Sequence, residues 1–179
     1  MRRQLRPTDV KRLNRTWRRN TDNRLALILE SVTGPFNVGS IFRSAAAFGV
    51  DQIWLAGNAT PPTNPKAGKT ALGTERLVTW HEPVPATEAV KAAKDDGYAV
   101  LAIELTAEAV PLHRADLGRD VCLVVGSEDH GCSPALLEAA DGVCYIPQVG
   151  RVGSFNVSVA AAIALAEARR QEWENLPEP

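Results

Sequence analysis

Residues 24–57 read RLALILESVTGPFNVGSIFRSAAAFGVDQIWLAG, and the change of hydrophobic period along them decides the fold. Leu25–Glu30 is an apolar run too short for a helix and bounded by polar residues, which predicts a strand. After Gly34-Pro35 the period becomes helical from about Asn37 to Phe48. Val38, Ile41, Phe42, Ala45 and Ala46 share one face there, and Gly49 is the stop. Gln52–Ala56 returns to strand, completing a strand–helix–strand unit. Outward from this unit the alternation continues, with strands expected at Leu77–Trp80, Tyr98–Glu104, Val121–Val125 and Val143–Ile146. Pro85 to Asp96 reads as a helix ended by Gly97, and Ser133-Pro134 as an N-cap and first turn. The last helix is expected from about Phe155 to Trp173, ended by Pro177, and the Pro-rich stretch Asn58–Lys69 as a surface loop. Such alternation predicts an α/β protein with a mainly parallel sheet and helices on both faces. Ligands of such sheets sit beyond the carboxyl ends of the strands, which singles out loops 31–37, 57–76, 104–116, 126–133 and 147–156.

A chain of 179 residues has room for one domain with a short appendage. The formal charge of −1 hides an asymmetry: residues 1–24 carry nine basic groups against Asp9 and Asp22, a net +7, which leaves −8 on the rest. A basic arm on an acidic body points to a polyanion, most often nucleic acid, or else is a solvated terminus, so Arg2, Arg3, Arg6, Lys11, Arg12, Arg15, Arg18 and Arg19 are candidate nucleic-acid-binding residues. The three cysteines, Cys122, Cys132 and Cys144, form no C-x-x-C pair and fit a reducing cytoplasm. The uncharged run Gly153–Ala166 is too short to span a bilayer, and no apolar core follows the N-terminal arginines, so neither membrane nor export is expected.

Several familiar chemistries fail on spacing. GKT at Gly68–Thr70 has Thr63 where a phosphate loop needs its first Gly, and the loop after the first strand lacks G-x-G-x-x-G. Ser127, Asp129 and His130 are the residue types of a hydrolase triad, but neighbours in one loop do not converge on one point. His130 and Cys132 have no second ligand pair, so no metal is expected, and Cys122 and Cys144 read as small core residues. What remains is polar residues set among apolar or Gly-rich neighbours in the strand-end loops. Arg43 lies among Ile, Phe and Ala, where a guanidinium either pairs with a carboxylate or awaits a phosphate. GSEDHG at Gly126–Gly131 suits close backbone approach by a ligand or serves as an ordinary turn, and Ser154 and Asn156 suit helix capping.

Three segments, in order, resemble the three motifs of the SPOUT superfamily, specifically its TrmH-type ribose 2′-O-methyltransferases. They are NVGSIFRSAAAFGV (Asn37–Val50), LVVGSEDHGCS (Leu123–Ser133) and IPQVGRVGSFNVSVAAAIAL (Ile146–Leu165). The resemblance covers about residues 24–172, departing at Phe155, where Leu is usual, and at Gln148, where Met is common. It implies a SPOUT-like domain over 25–173 with a C-terminal deep trefoil knot, a partly helical arm at 1–24 and a tail at 174–179. It also implies a homodimer. The implied activity is methyl transfer from S-adenosyl-L-methionine to a ribose 2′-hydroxyl of a structured RNA. Transfer RNA and a guanosine are favoured, because the domain carries only an arm; ribosomal RNA, a non-catalytic RNA-binding module and base methylation on the same fold are the alternatives. Carried over residue by residue, Leu101, Ile103, Gly126, Ser127, Glu128, Ile146, Pro147, Val149, Phe155 and Asn156 would hold the cofactor, in a pocket that also takes in Glu104. Arg43, Asn37, Glu128, Ser154 and Asn156 would carry catalysis. The Ala-rich face of the last helix (Ala160, Ala161, Ala164, Ala168) is expected to pack closely at the dimer interface.

Overall fold

The computed structural model describes residues 3–174. Arg2, the Pro177 stop and residues 175–179 of the tail lie outside the described residues. One sheet holds β1 (Leu25–Glu30), β2 (Gln52–Ala56), β3 (Thr79–Val84), β4 (Ala99–Ile103), β5 (Val110–Pro111), β6 (Val121–Val125) and β7 (Gly142–Tyr145). Their spatial order is β3-β2-β1-β6-β4-β7-β5, and each adjacent pair is parallel. The helices are α1 (Pro7–Arg19), α2 (Pro35–Phe48), α3 (Pro65–Ala71), α4 (Ala86–Asp95), α5 (Pro134–Ala139) and α6 (Val157–Trp173).

Side chains alternate across β1: Leu25, Leu27 and Leu29 join a core with α2, α3 and α6, while Ala26 and Ile28 join a second core with α4 and α5. Both faces are covered, which is why β6, and β1 up to its terminal Glu30, are continuous apolar runs with every residue buried. Among the described residues no helix is long and apolar enough to cross a membrane.

Four elements depart from the sequence expectation, one of them β5, a two-residue strand within the expected loop 104–116. The expected strand at Leu77–Trp80 is displaced: a short 3-10 turn at Thr74–Arg76 precedes it, Leu77 is exposed, and β3 runs Thr79–Val84. Pro83 sits inside β3 because this is an edge strand, where a missing backbone N–H costs no ladder bond. The stretch expected to be a loop contains α3, capped by Asn64, whose side chain accepts from the Lys66 N–H at 2.9 Å, with Pro65 in the first turn. On α6 the expected dimer face is used internally, since Ala161, Ala164 and Ala168 are buried in the chain's own core.

The far end of α6 carries a buried ion pair, Arg169 Nη1 to Glu172 Oε2 at 2.6 Å. Arg169 also donates to the carbonyls of Phe48, Gly49 and Asn23, and Glu172 accepts from the backbone N–H groups of Asp22 and Asn23. The C-terminal helix is thereby tied to the end of α2 and to the root of the arm. No residue of α1 is buried. Its Trp17 packs against Trp173 with ring centroids 4.7 Å apart and planes tilted by 42°, and the Trp173 indole donates to Thr21 Oγ1.

Candidate functional site

β6, β4 and β7 are neighbours in the sheet, so the loops leaving their carboxyl ends meet, although they lie some twenty residues apart in sequence. Between them is a cavity of about 820 Å³ walled by Ile103–Leu105, Val125–Gly131, the 145–156 segment and the first turn of α6. That volume lies in the roughly 300–1,000 Å³ range of small-molecule sites. β1 borders β6, which brings the loop into α2 against the same rim.

The turn after β6 is closed on itself. Ser127 and Gly131 exchange backbone hydrogen bonds at 3.1 and 2.9 Å, and Ser127 Oγ accepts from the N–H groups of Asp129 and His130. That hydroxyl is occupied by the turn, as the rejection of a Ser-Asp-His triad requires. Glycine is obligatory at both ends. Gly131 has φ +68°, and a Cβ on Gly126 would lie 2.1 Å from the Gly131 carbonyl carbon. Glu104, at the end of β4, accepts from the N–H groups of Leu105 and Cys132, fixing the turn against the next strand. On the other side Glu30 accepts from Ser133 N and Oγ, at 2.8 and 2.5 Å, which seats α5 on the end of β1.

Glu128, Asn37 and Asn156 form one polar chain. Asn37 Nδ2 donates to Glu128 Oε1 at 2.8 Å, and Asn156 Nδ2 donates to Asn37 Oδ1 at 3.0 Å. Glu128 Oε1 also lies 3.3 Å from the Gly34 N–H, and Asn156 Oδ1 caps α6 through the Ser158 and Val159 N–H groups. Capping thus falls to Asn156, while Ser154 lies exposed on the cavity wall. Arg43 stands elsewhere. Six residues beyond Asn37 it has turned about 120° from Asn37's face. It is exposed, off the cavity wall, and among the described residues it has no carboxylate within ion-pair distance.

Of the expected cofactor residues, Ile103, Gly126, Ser127, Glu128, Ile146, Phe155 and Asn156 line the cavity. Leu101, Pro147 and Val149 do not. Leu101 is buried two residues down β4, roughly 7 Å below the strand end, against Gly142 of β7. Past Ile146 the chain is irregular, bending at Gly150, Arg151 and Gly153: Gln148, Gly150 and Val152 wall the cavity, whereas Pro147 is exposed and Val149 wholly so. Sequence reasoning missed Gln148, Leu105 and Tyr145 on the wall. Burial pushes the Cys144 thiol up to about 11 and those of Cys122 and Cys132 further, so none offers a thiolate at neutral pH.

The profile of the SpoU rRNA Methylase family matches residues 24–166. A 23S rRNA (guanosine-2′-O-)-methyltransferase of Acinetobacter baylyi is 34% identical over 153 residues, covering 85% of this chain and 62% of that protein. A tRNA (guanosine(18)-2′-O)-methyltransferase of Thermus thermophilus is 36% identical over 149 residues, 82% of this chain and 75% of that one. The crystal structure of an AdoMet-bound rRNA methyltransferase from Sinorhizobium meliloti superposes with a TM-score of 0.78 at 29% identity, covering 84% of this chain and 57% of that one. The chain therefore spans little more than half of some relatives and three quarters of others.

Proposed function

This chain belongs to the SpoU rRNA Methylase family, and from that premise we propose that it is an S-adenosyl-L-methionine-dependent RNA ribose 2′-O-methyltransferase. One observation carries the reading: Glu128 and Asn156, on the wall of a cofactor-sized cavity at the strand ends, are bonded to each other through Asn37, joining all three sequence motifs. The residues present fit the cofactor. Ile146 and Phe155 offer apolar walls for an adenine ring, and the glycine-bounded turn leaves backbone groups open to its edge and ribose. When bound, S-adenosyl-L-methionine supplies an electrophilic methyl group on a sulfonium, so the protein has only to align a ribose hydroxyl and relieve it of its proton.

Arg43 is the residue we assign to that task. Guanidinium groups as a class have pKa values above about 12 and rarely act as bases. Arg43 instead clamps a phosphate next to the reacting ribose and stabilises the developing alkoxide charge, with the phosphate taking the proton. Asn37 positions the ribose side of the site, and Glu128, Ser154 and Asn156 hold the cofactor and its loops. Arg43 is exposed and off the wall of its own chain's cavity, and we propose that the site is shared across a homodimer. The exposed Phe36 and Val159 support that reading: they stand on the first turns of α2 and α6, helices tied together by Asn37 and Asn156.

The 25–173 domain carries the reaction, in the cytoplasm, and the 1–24 arm holds RNA through Arg2, Arg3, Arg6, Lys11, Arg12, Arg15, Arg18 and Arg19. A knotted C-terminus is supported by the chain path. After β7, next to last in the sheet, α6 returns to pack on α2, and Gln171 bonds to Leu117 and Ala115 of the segment that precedes β6. Transfer RNA is the favoured substrate and guanosine the favoured nucleotide; the Acinetobacter relative keeps ribosomal RNA as the second reading. The test is incubation with labelled S-adenosyl-L-methionine and total RNA, followed by nucleoside digestion and mapping. A label on a base, or no label in any RNA, ends the proposal.

A further inference from the structure

The body is acidic, yet the RNA must approach a site far from the basic arm. Trp173, where the arm is anchored, closes the 17-residue α6, whose other end carries Asn156 at the site. At 1.5 Å per residue the two ends are about 25 Å apart. The arm's anchor therefore lies remote from the cavity, toward the amino ends of the strands. Something nearer must offset the acidic charge.

α3 fills that role. Gly39 of α2 packs on it so closely that a Cβ there would meet Thr70 Oγ1 at 2.0 Å and the Ala67 carbonyl at 2.2 Å, and Thr70 Oγ1 donates to the Phe36 carbonyl. Arg43 is one turn beyond Gly39 on the same stripe of α2. α3 presents Lys66 and Lys69, both exposed and, among the described residues, without a carboxylate in ion-pair range. Whichever subunit's cavity Arg43 serves, these two lysines travel with it.

We propose that RNA is gripped at two separate points: a near one, Lys66 and Lys69 on α3 beside Arg43, and a far one on α1. The reading rests on an RNA substrate. It narrows the substrate class to folded RNAs whose phosphate backbone extends at least about 25 Å from the methylated ribose. Short RNA engages only the near point.

The experiment measures binding across a salt series with two probes, unfractionated tRNA and a hairpin of four base pairs. The stem of that hairpin covers no more than about 14 Å at roughly 3.4 Å per step. Two variants leave the helices intact, Lys66→Gln with Lys69→Gln, and Lys11→Gln with Arg12→Gln and Arg15→Gln. Removing one cation from a phosphate flattens the slope of log affinity on log salt by roughly 0.7–0.9. The α3 pair is expected to flatten it by up to about 1.8 on both probes. The arm variant is expected to flatten it on tRNA and leave the hairpin at the wild-type slope. An unchanged hairpin slope in the α3 variant overturns the near point, and equal flattening on both probes by the arm variant overturns the separation. Failure of methyl transfer to every RNA tested would remove the enzymatic reading while leaving these slopes to be read independently.

Discussion

Asn37 gives its amide hydrogen to Glu128 and accepts one from Asn156, so a single side chain holds the orientation of two loops and two helix starts. Its neighbour on α2, Arg43, has no such tether, and an unpaired exposed guanidinium is available to a phosphate. Arg43→Ala should lower methyl transfer by orders of magnitude while S-adenosyl-L-methionine binding, followed by calorimetry, stays near wild type. Arg43→Lys should fail as well, because an ammonium cannot reproduce the planar fork on a phosphate. Near-normal turnover in either variant removes Arg43 from catalysis. Asn37, Glu128 and Asn156 were legible as a set because each is a polar residue in an apolar or Gly-rich motif. Their mutual bonding was not, since it depends on β1 and β6 being neighbours, a fact of sheet order that no local pattern encodes. The segment after β7 is a different case: Ile146 and Gln148 wall the cavity while Pro147 and Val149 do not, a distinction that its irregular backbone makes unreadable from period.

α6 is held at both ends by polar contacts, an Asn cap at the site and the Arg169–Glu172 pair at the arm. Arg169→Ala would leave a buried carboxylate unpaired and strip three backbone carbonyls of their donor, which should cost about 3–5 kcal/mol. The measurement is a shifted denaturant midpoint at unchanged slope, and a shift worth under about 1 kcal/mol would show the pair to be solvent-screened. The strands are pinned similarly at their amino ends. Asp120 accepts from Arg24 N and Nε, and Asp141 from Val100 N and Lys94 Nζ. Burial works against both charges, but these donors prevail and hold the carboxyls below their ordinary value. A depressed folded value means that the unfolded chain binds the proton first. The stability the two groups add is thus complete above the unfolded carboxylate pKa of about 3.9 and is lost as pH falls through the lowered folded values. Asp120→Asn and Asp141→Asn should each flatten the acid limb of melting temperature against pH, and an unaltered limb would exclude them. The central strands and long helices were readable from period alone, as β1 and α2 illustrate, whereas β3 is displaced from its expected span and the two-residue β5 falls in an expected loop. α3 was hidden because its prolines and Asn64 read as loop chemistry, although the same Asn-Pro pair is a helix start.

The Ala-rich stripe of α6 suggested the dimer contact in sequence, and its burial in the monomer core removes that particular warrant without touching the need for a partner. A shared site rests on placement: Arg43 is exposed and is not among the residues that wall the cavity of its own chain. A surface suited to the contact is the first turns of α2 and α6, where Phe36 and Val159 are exposed beside the Asn37–Asn156 bond. A stable interface needs about 800 Å² per partner, so these two side chains are its centre and not its whole extent. Introducing a carboxylate at that centre, by Phe36→Glu or Val159→Glu, should weaken association on the order of 100-fold, since an unpaired charge would be buried at each symmetry-related contact. Sedimentation at micromolar concentration is expected to give a dimer for the wild type and a folded monomer for either variant, with methyl transfer lost and the circular dichroism spectrum kept. A monomeric wild type that still transfers methyl groups would defeat the shared site, and a dimeric Phe36→Glu variant would move the interface to another face of the molecule.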